Sequence, residues 1–361
     1  MENGNQRKVQ IFVSEENLRA FLLDVFSKTG MAQENAGMCA DCMVQTNLWG
    51  IDSHGILRLP IYIKRIRNKV IKANPVIKKT GGNRAFELLD GDDGIGFLVG
   101  KSAMQRALEL AEENNIGAVA VTRSNHFGAA ALYAGMAADR GMIGIAMTNV
   151  GPNLVVPGGS KPITGNNPIA IGAPTAGAFP FLLDISMSAV SGGKLLLASK
   201  KKEKIPMDWA TDSKGRFTDD PDKGFAGFLL PLGGHKGFGL SLAIDILCGV
   251  ITGGAFQFGI RSMYKQPELP SLTGHMMIAI NPGIAVGPEE LKDRMAEFCS
   301  TLKASPMWDD SREMLLPGEL EHLQQLERQE HGIPVPDDLF HELSELGAEL
   351  HADQTLEPIE A

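Results

Sequence analysis

Two apolar runs that each break into a polar, glycine-flanked loop constrain this chain most. Ala118-Val119-Ala120-Val121-Thr122 leads into Arg123-Ser124-Asn125-His126-Phe127-Gly128. Ile143-Gly144-Ile145-Ala146-Met147-Thr148 leads into Asn149-Val150-Gly151-Pro152. A Gly-rich loop follows, running from Pro157 to Pro168, and the stretch closes on Phe181-Leu182-Leu183-Asp184. Short apolar runs of this kind are strand-like. Polar groups that follow strands, with glycines beside them, are how open α/β sheets build ligand crevices.

The flanking sequence reads as support for that crevice. Strand 116–122, helix 129–140 and strand 142–148 form a strand–helix–strand unit, which predicts direct parallel pairing of the two strands. Further strands are expected at 86–90, 169–173, 179–185 and 276–280. Ser14 is a helix cap ahead of Leu18, Phe21, Leu22, Val25 and Phe26, and Gly30 stops that helix. A second helix spans 33–49 and a third follows Pro60. Residues 240–252 are apolar on nearly all sides, which predicts a central helix. The end, 286–350, is helical and acidic with a break at Leu316-Pro317-Gly318-Glu319, and the last ten residues read as an extension. Residues 1–9 read as loose. The expected domains are a helical part, 1–80 with 286–361, and an α/β part, 81–285.

Several function classes are disfavoured. Net charge is −9 with no basic stripe, so a nucleic-acid partner is not expected. Lys200-Lys201-Lys202 reads as a solvated face. Met1 to Lys8 has no signal-peptide apolar core, and the run Phe238 to Thr252 is too short to span a bilayer and carries Asp245. A cytoplasmic protein without membrane contact is therefore expected. Four cysteines are too few for a disulfide framework in 361 residues. Cys39-Ala40-Asp41-Cys42 lies in a helical pattern and reads as core rather than metal or redox chemistry. No metal site is expected, and no G-x-G-x-x-G, Walker loop, H-E-x-x-H or G-x-S-x-G occurs in a fitting context.

Chemistry concentrates at a few positions. His54 and His126 sit in glycine-flanked loops where backbone can approach a ligand, and histidine exchanges protons near neutral pH. Arg58 follows His54 by four residues and on a helical turn would share its face. A guanidinium beside a proton donor suits an anionic carbonyl substrate, with Arg on the carboxylate and His at the developing alkoxide. The alternative is that Arg58 pairs with a carboxylate at an interface. Asp184 closes an apolar strand and reads either as an orienting or ribose-binding carboxylate or as a helix cap. Ser186 and Ser188 are candidate phosphate or ribose donors, and Lys236, between glycines, is the lysine candidate for a dinucleotide phosphate.

These motifs together resemble the malate/L-lactate dehydrogenase family that lacks the Rossmann fingerprint. That family also includes sulfolactate, ureidoglycolate and diketogulonate oxidoreductases and a cyclic-imine reductase. The resemblance runs from about 12 to 335. It is carried by Asp52-Ser53-His54-Gly55 with Arg58 and Pro60, Asp90-Gly91-Asp92, Ser124–Gly128, Thr164-Gly165-Asn166-Asn167-Pro168, Leu183-Asp184, Ile205-Pro206, Pro231–Gly237 and Pro317-Gly318-Glu319. It implies an α/β fold with a mixed-sheet nicotinamide-cofactor domain and a helical N-/C-terminal domain. It implies an NAD- or NADP-dependent enzyme, a homodimer, acting on a 2-hydroxy or 2-oxo acid. By resemblance His54 donates the proton, Arg58 binds the carboxylate and Asp184 partners the histidine, while His126 competes for the acid/base role. The cofactor contacts it implies are Thr164, Asn166, Asn167, Asp184, Ile185, Ser186, Ser188, His235, Lys236, Gly237, Gly318 and Glu319. Gly192-Gly193 and Asp208 depart from the family pattern near the adenosine end, which leaves NAD against NADP open. The reading from another class is a catalytically silent dinucleotide sensor.

Overall fold

The computed structural model describes residues 10–309 and 311–359; the stretch expected to be loose, 1–9, lies outside them. Two compact units emerge, one of residues 10–74 with 318–359 and one of residues 75–317. The first unit opens with strand β1 (Gln10–Val13) and helices α1 (Glu15–Lys28) and α2 (Gln33–Leu48). Ser14 Oγ accepts the Asn17 N–H at 3.1 Å, which satisfies one of the orphan donors at the start of α1. Leu18, Phe21, Leu22, Val25 and Phe26 then fall on one buried face. Cys39 and Cys42 are buried among the apolar residues of α2. Two single 3₁₀ turns, Asp52–His54 and Ile56–Arg58, precede α3 (Leu59–Arg67).

The second unit begins with β2 (Lys78–Asn83), β3 (Phe86–Asp90), α4 (Gly96–Asn114) and β4 (Ile116–Ser124). It continues through α5 (Ala131–Ala138), β5 (Ile143–Thr148), β6 (Leu154–Val155), β7 (Pro162–Thr164), β8 (Ile169–Ala173) and β9 (Phe181–Ile185). Then come α6 (Gly192–Lys201), β10 (Ala210–Thr211), α7 (Pro221–Ala226), β11 (Phe228–Leu229), α8 (His235–Asp245), β12 (Thr273–Ile280) and α9 (Pro288–Lys303). The main sheet has seven strands in the order β2-β3-β4-β12-β5-β8-β9. Only β3 and β4 pair in parallel, with α4 as their crossover; every other neighbour in this sheet is antiparallel. The fold is thus mixed α/β. A smaller sheet runs β10-β11-β6-β7.

Two expectations are corrected here. β4 and β5 do not pair directly, because β12 lies between them and is antiparallel to both. Six of the eight residues of β12 are buried, on both faces, as a central strand requires. The helix at 240–252 is not central. Within α8 only Gly237, Ser241, Ile244 and Asp245 are buried, and in the π turn Ile246–Val250 that continues it Cys248 and Gly249 are. Leu240, Val250 and Ile251 remain 55, 51 and 53 % exposed. Apolarity on all sides does not distinguish a core helix from one with an outward apolar face.

The chain then returns to the first unit with α10 (Glu319–His331), β13 (Ile333–Pro336) and α11 (Asp337–Glu349). β13 pairs antiparallel with β1. Residues 353–359 are tied down rather than extended. The Asp353 and Gln354 N–H groups donate to Asp24, Asn17 bonds Thr355 O and Glu357 N, and Ile359 N donates to Phe12 O.

Candidate active site

In the first unit His54 and Arg58 sit on consecutive 3₁₀ turns rather than one helical turn. Gly55 separates them, and an added Cβ there would lie 2.0 Å from Asn47 Oδ1. Only glycine permits the chain to pass so close to that side chain. Ser53 Oγ lies 2.8 Å from His54 Nδ1, and Arg58 Nε donates to Ser53 O at 2.7 Å. Loss of hydration, and secondarily the Arg58 charge, lower the His54 pKa from 6.5 to about 4. The imidazole is therefore neutral at pH 7, a proton acceptor beside a fixed cation. Gly318 (φ +92°) is the cap residue of α10, and Glu319 is its first residue.

In the second unit the ends of β4 and β5 are joined by a residue that sequence reasoning passed over. His275, fully buried on β12, holds Ser124 Oγ at 2.7 Å through Nε2 and Thr148 Oγ1 at 2.8 Å through Nδ1. Its ring stacks on Phe127 at 4.6 Å, and Tyr133 stacks on Phe127 as well. The loop that carries His126 is further clipped by Asn125, whose Nδ2 donates to Asp93 O and Gly94 O. His126 Nδ1 accepts the Gly128 N–H at 3.4 Å. The signal for His275 was a histidine inside an apolar strand, where a polar ring needs buried partners.

Asp184 Oδ2 accepts the N–H of Ala131 at the start of α5, so this carboxylate does cap a helix, though not the one that follows it in the chain. Beyond Ile185, Ser186 and Ser188 join hydroxyl to hydroxyl at 3.1 Å. This segment runs alongside the loop before α8: Leu232 N donates to Met187 O and Ala189 N to Leu230 O. Asn166 O accepts the Met187 N–H, and Asn166 Oδ1 accepts from Asn153 Nδ2 at 2.9 Å. Thr164 and Asn167 are fully buried and serve from within: Asn167 bonds Val150 N and Ser241 O, and Thr164 lies against Ser241. His235 and Lys236 are exposed at the first turn of α8, while Gly237 is buried against Leu232.

These residues fit a nicotinamide dinucleotide. Asn153 Oδ1 is a buried acceptor with no hydrogen-bond partner, beside Asn166, and an amide donor would satisfy it. Gly233 and Gly234 hold φ of +58° and +66° with nothing within 4 Å of their Cβ positions, leaving backbone open to a ligand ahead of α8. An eleven-residue helix opening there favours anionic groups at its start, next to Lys236.

One unit offers such a cradle and the other bears a neutral imidazole and a guanidinium, groups of the kind that a nicotinamide-dependent dehydrogenase uses. The malate/L-lactate dehydrogenase family model matches residues 13–344. The malate dehydrogenase of Pyrococcus abyssi is 40 % identical over 353 residues, covering 96 % of each chain. The L-sulfolactate dehydrogenase of Methanocaldococcus jannaschii is 38 % identical, covering 94 % of this chain and 97 % of its own. The solved structure of sulfolactate dehydrogenase from Methanocaldococcus jannaschii superposes with a TM-score of 0.90 at 37 % identity, over 94 % of this chain and 98 % of that one. The chain belongs to the malate/L-lactate dehydrogenase family and is an oxidoreductase of 2-hydroxy acids.

Proposed function

We propose that the protein interconverts a malate- or lactate-type 2-hydroxy acid and its 2-oxo acid, using NAD or NADP. The observation that carries this reading is His54, held neutral next to Arg58. In oxidation the neutral imidazole takes the proton of the C2 hydroxyl, and in reduction it returns it. Ser53, at Nδ1, fixes the ring orientation. Arg58 grips the substrate carboxylate with its planar fork. Asp184 supplies a carboxylate anchored at the end of β9, and His126 is the second acid/base candidate. The bound cofactor supplies the hydride acceptor or donor at C2. Asn166, the segment from Ile185 to Ser188, the turn from His235 to Gly237, and Gly318 with Glu319 are the groups assigned to hold it, with Thr164 and Asn167 bracing the loop.

The malate and sulfolactate dehydrogenases among its relatives favour a small anionic 2-oxo acid as substrate. We also infer a homodimer, on the outward apolar face of α8 and its π turn. A cytoplasmic location accords with cysteines spent as buried core thiols at 39, 42 and 248.

The test is nicotinamide absorbance with NADH and NADPH against oxaloacetate, pyruvate, 2-oxoglutarate, sulfopyruvate, diketogulonate and a cyclic imine acid. Turnover with one acid and one cofactor is expected, and His54→Ala is expected to lower it by roughly 10²- to 10⁴-fold. Near wild-type turnover in His54→Ala, with cofactor still bound, would sink the mechanism. Cofactor binding with no turnover on any acid or imine would favour a silent sensor.

A further inference from the structure

The turn that bears His54 is pinned on both sides of the imidazole. Before it, Asp52 Oδ1 accepts from Asn47 Nδ2 at 2.8 Å. After it, the Ile56 N–H donates to Asn47 Oδ1 at 2.8 Å. Between them Gly55 presses on the same side chain. This frame is local to α2 and its following turn, with one exception. Arg328, near the far end of α10 and almost three hundred residues along the chain, closes a fork on Asp52: Nη1 to Oδ1 at 2.6 Å and Nη2 to Oδ2 at 3.0 Å. The same Nη1 also donates to Asn47 O. Arg328 is 9 % exposed, whereas the Asp52 side chain is 49 % exposed.

A two-point fork fixes the plane of a carboxylate as well as its distance, which a lysine does not. We propose that Arg328 is a positioning residue for the reaction: by fixing Asp52 and the Asn47 carbonyl it sets the orientation of the turn that presents His54 and Arg58. This rests on the reading that His54 moves the proton. Both functional side chains hang on the framed segment, since Arg58 Nε is bonded to Ser53 O and Ser53 Oγ meets the imidazole. A shift of the turn therefore misaligns proton transfer and carboxylate binding together.

The test uses the full chain in four forms: Arg328→Met, Arg328→Lys, Asp52→Asn and His54→Ala. Readouts are kcat with the preferred 2-oxo acid, cofactor affinity by fluorescence, Tm and the pH profile of kcat/KM for oxidation. Arg328→Met is expected to lower kcat by about 10- to 100-fold, since displacements near an ångström cost about that much. Cofactor affinity is expected to stay within about twofold, because the guanidinium touches only the proton-bearing turn and the end of α2 that leads into it. Arg328→Lys is expected to restore only part of kcat. The acid limb of the oxidation profile is expected to move up from about 4 towards 6.5 as the loosened turn rehydrates His54. If Arg328→Met keeps wild-type kcat and acid limb while His54→Ala is inactive, the positioning role is wrong and the proton-transfer reading stands. If His54→Ala retains turnover, that reading fails first. Should Arg328→Met not fold, Asp52→Asn decides: it keeps the side-chain shape and an acceptor for Asn47, so the same kcat loss supports the role and wild-type kcat overturns it.

Discussion

His275 Nε2 lies 2.7 Å from Ser124 Oγ, joining β12 to the end of β4 at the loop that carries His126. The other ring nitrogen reaches Thr148 at the end of β5, so one imidazole ties both crevice strands to the strand between them. Burial lowers the His275 pKa from 6.5 to about 3. With a folded pKa below the unfolded one, the unfolded chain binds the extra proton. Stability is then full above pH 6.5 and falls as pH drops towards 3.

The expected slope from His275 is about 1.4 kcal/mol per pH unit in that window. Urea unfolding at pH 7, 6 and 5 measures it where most unfolded-state carboxylates stay ionised. His275→Gln is expected to be less stable at pH 7, with a shallower slope from 6.5 to 5. An equal slope in both proteins would show that His275 does not set the acid sensitivity.

The low pKa of His54 has a kinetic counterpart. The kcat/KM profile reports the free enzyme, in which His54 is neutral above about 4. Oxidation of the hydroxy acid is expected to be flat in this group from about pH 5 to 7, while reduction falls about tenfold per pH unit above 4, because only the protonated imidazole donates. Arg58→Met removes the second cause of the depression, so the acid limb is expected to rise. KM for the 2-oxo acid is expected to rise by about tenfold or more as the charge-assisted bonds to its carboxylate are lost. A variant with unchanged KM and unchanged limb would separate Arg58 from the substrate.

Glu87 on β3 supplies a stability test away from the site. Its carboxylate is nearly buried and is held by Arg106 through Nε and Nη2, each at 2.9 Å, and by Lys79 at 2.7 Å. Chiefly the Arg106 bonds lower its pKa from 4.5 to about 2. The stabilisation is present above 4.5 and is lost as pH falls towards 2. Arg106→Met leaves this charge with Lys79 alone and is expected to cost about 1–3 kcal/mol in thermal or urea unfolding. Adding Glu87→Gln is expected to recover part of that loss; a double variant no better than the single one would contradict the pairing.

Local pattern was legible where local physics decides it. The Ser14 cap and the Leu18-to-Phe26 face fix α1, and the runs 116–124 and 143–148 fix β4 and β5. Polar types in glycine-flanked loops nominated His54 and His126 as candidates, while most of the candidate cofactor contacts came from the family resemblance. What could not be read were relations set by distant segments. β12 inserts between β4 and β5 from more than 120 residues downstream, and no periodicity within 116–148 records it. His275 drew no reading, because its partners, Ser124 and Thr148, lie on two other strands and nothing adjacent in sequence points to them. Arg328 sits in a helix whose other charges are solvated, and its partner, Asp52, is on the opposite flank of the chain.

The helix at 235–250 is the case in which composition misled. Leu240, Ile246, Val250 and Ile251 are each about half exposed, and Phe256 and Phe258 shortly after them are exposed as well. Isolated exposed apolar side chains are ordinary; several along one helix and its following turn are what the proposed homodimer rests on. In the proposed homodimer this face would bury against the same face of a second copy about a two-fold axis. Leu240→Glu with Val250→Asp places two charges in that contact and is expected to convert a dimer into a monomer, read by sedimentation or light scattering. Wild-type protein with the mass of one chain would exclude the dimer. A double variant that remains a dimer would move the interface to another surface. Because both positions are already solvent-exposed in the single chain, the variant is expected to keep the Tm of an isolated subunit, so loss of the dimer would be separable from loss of the fold.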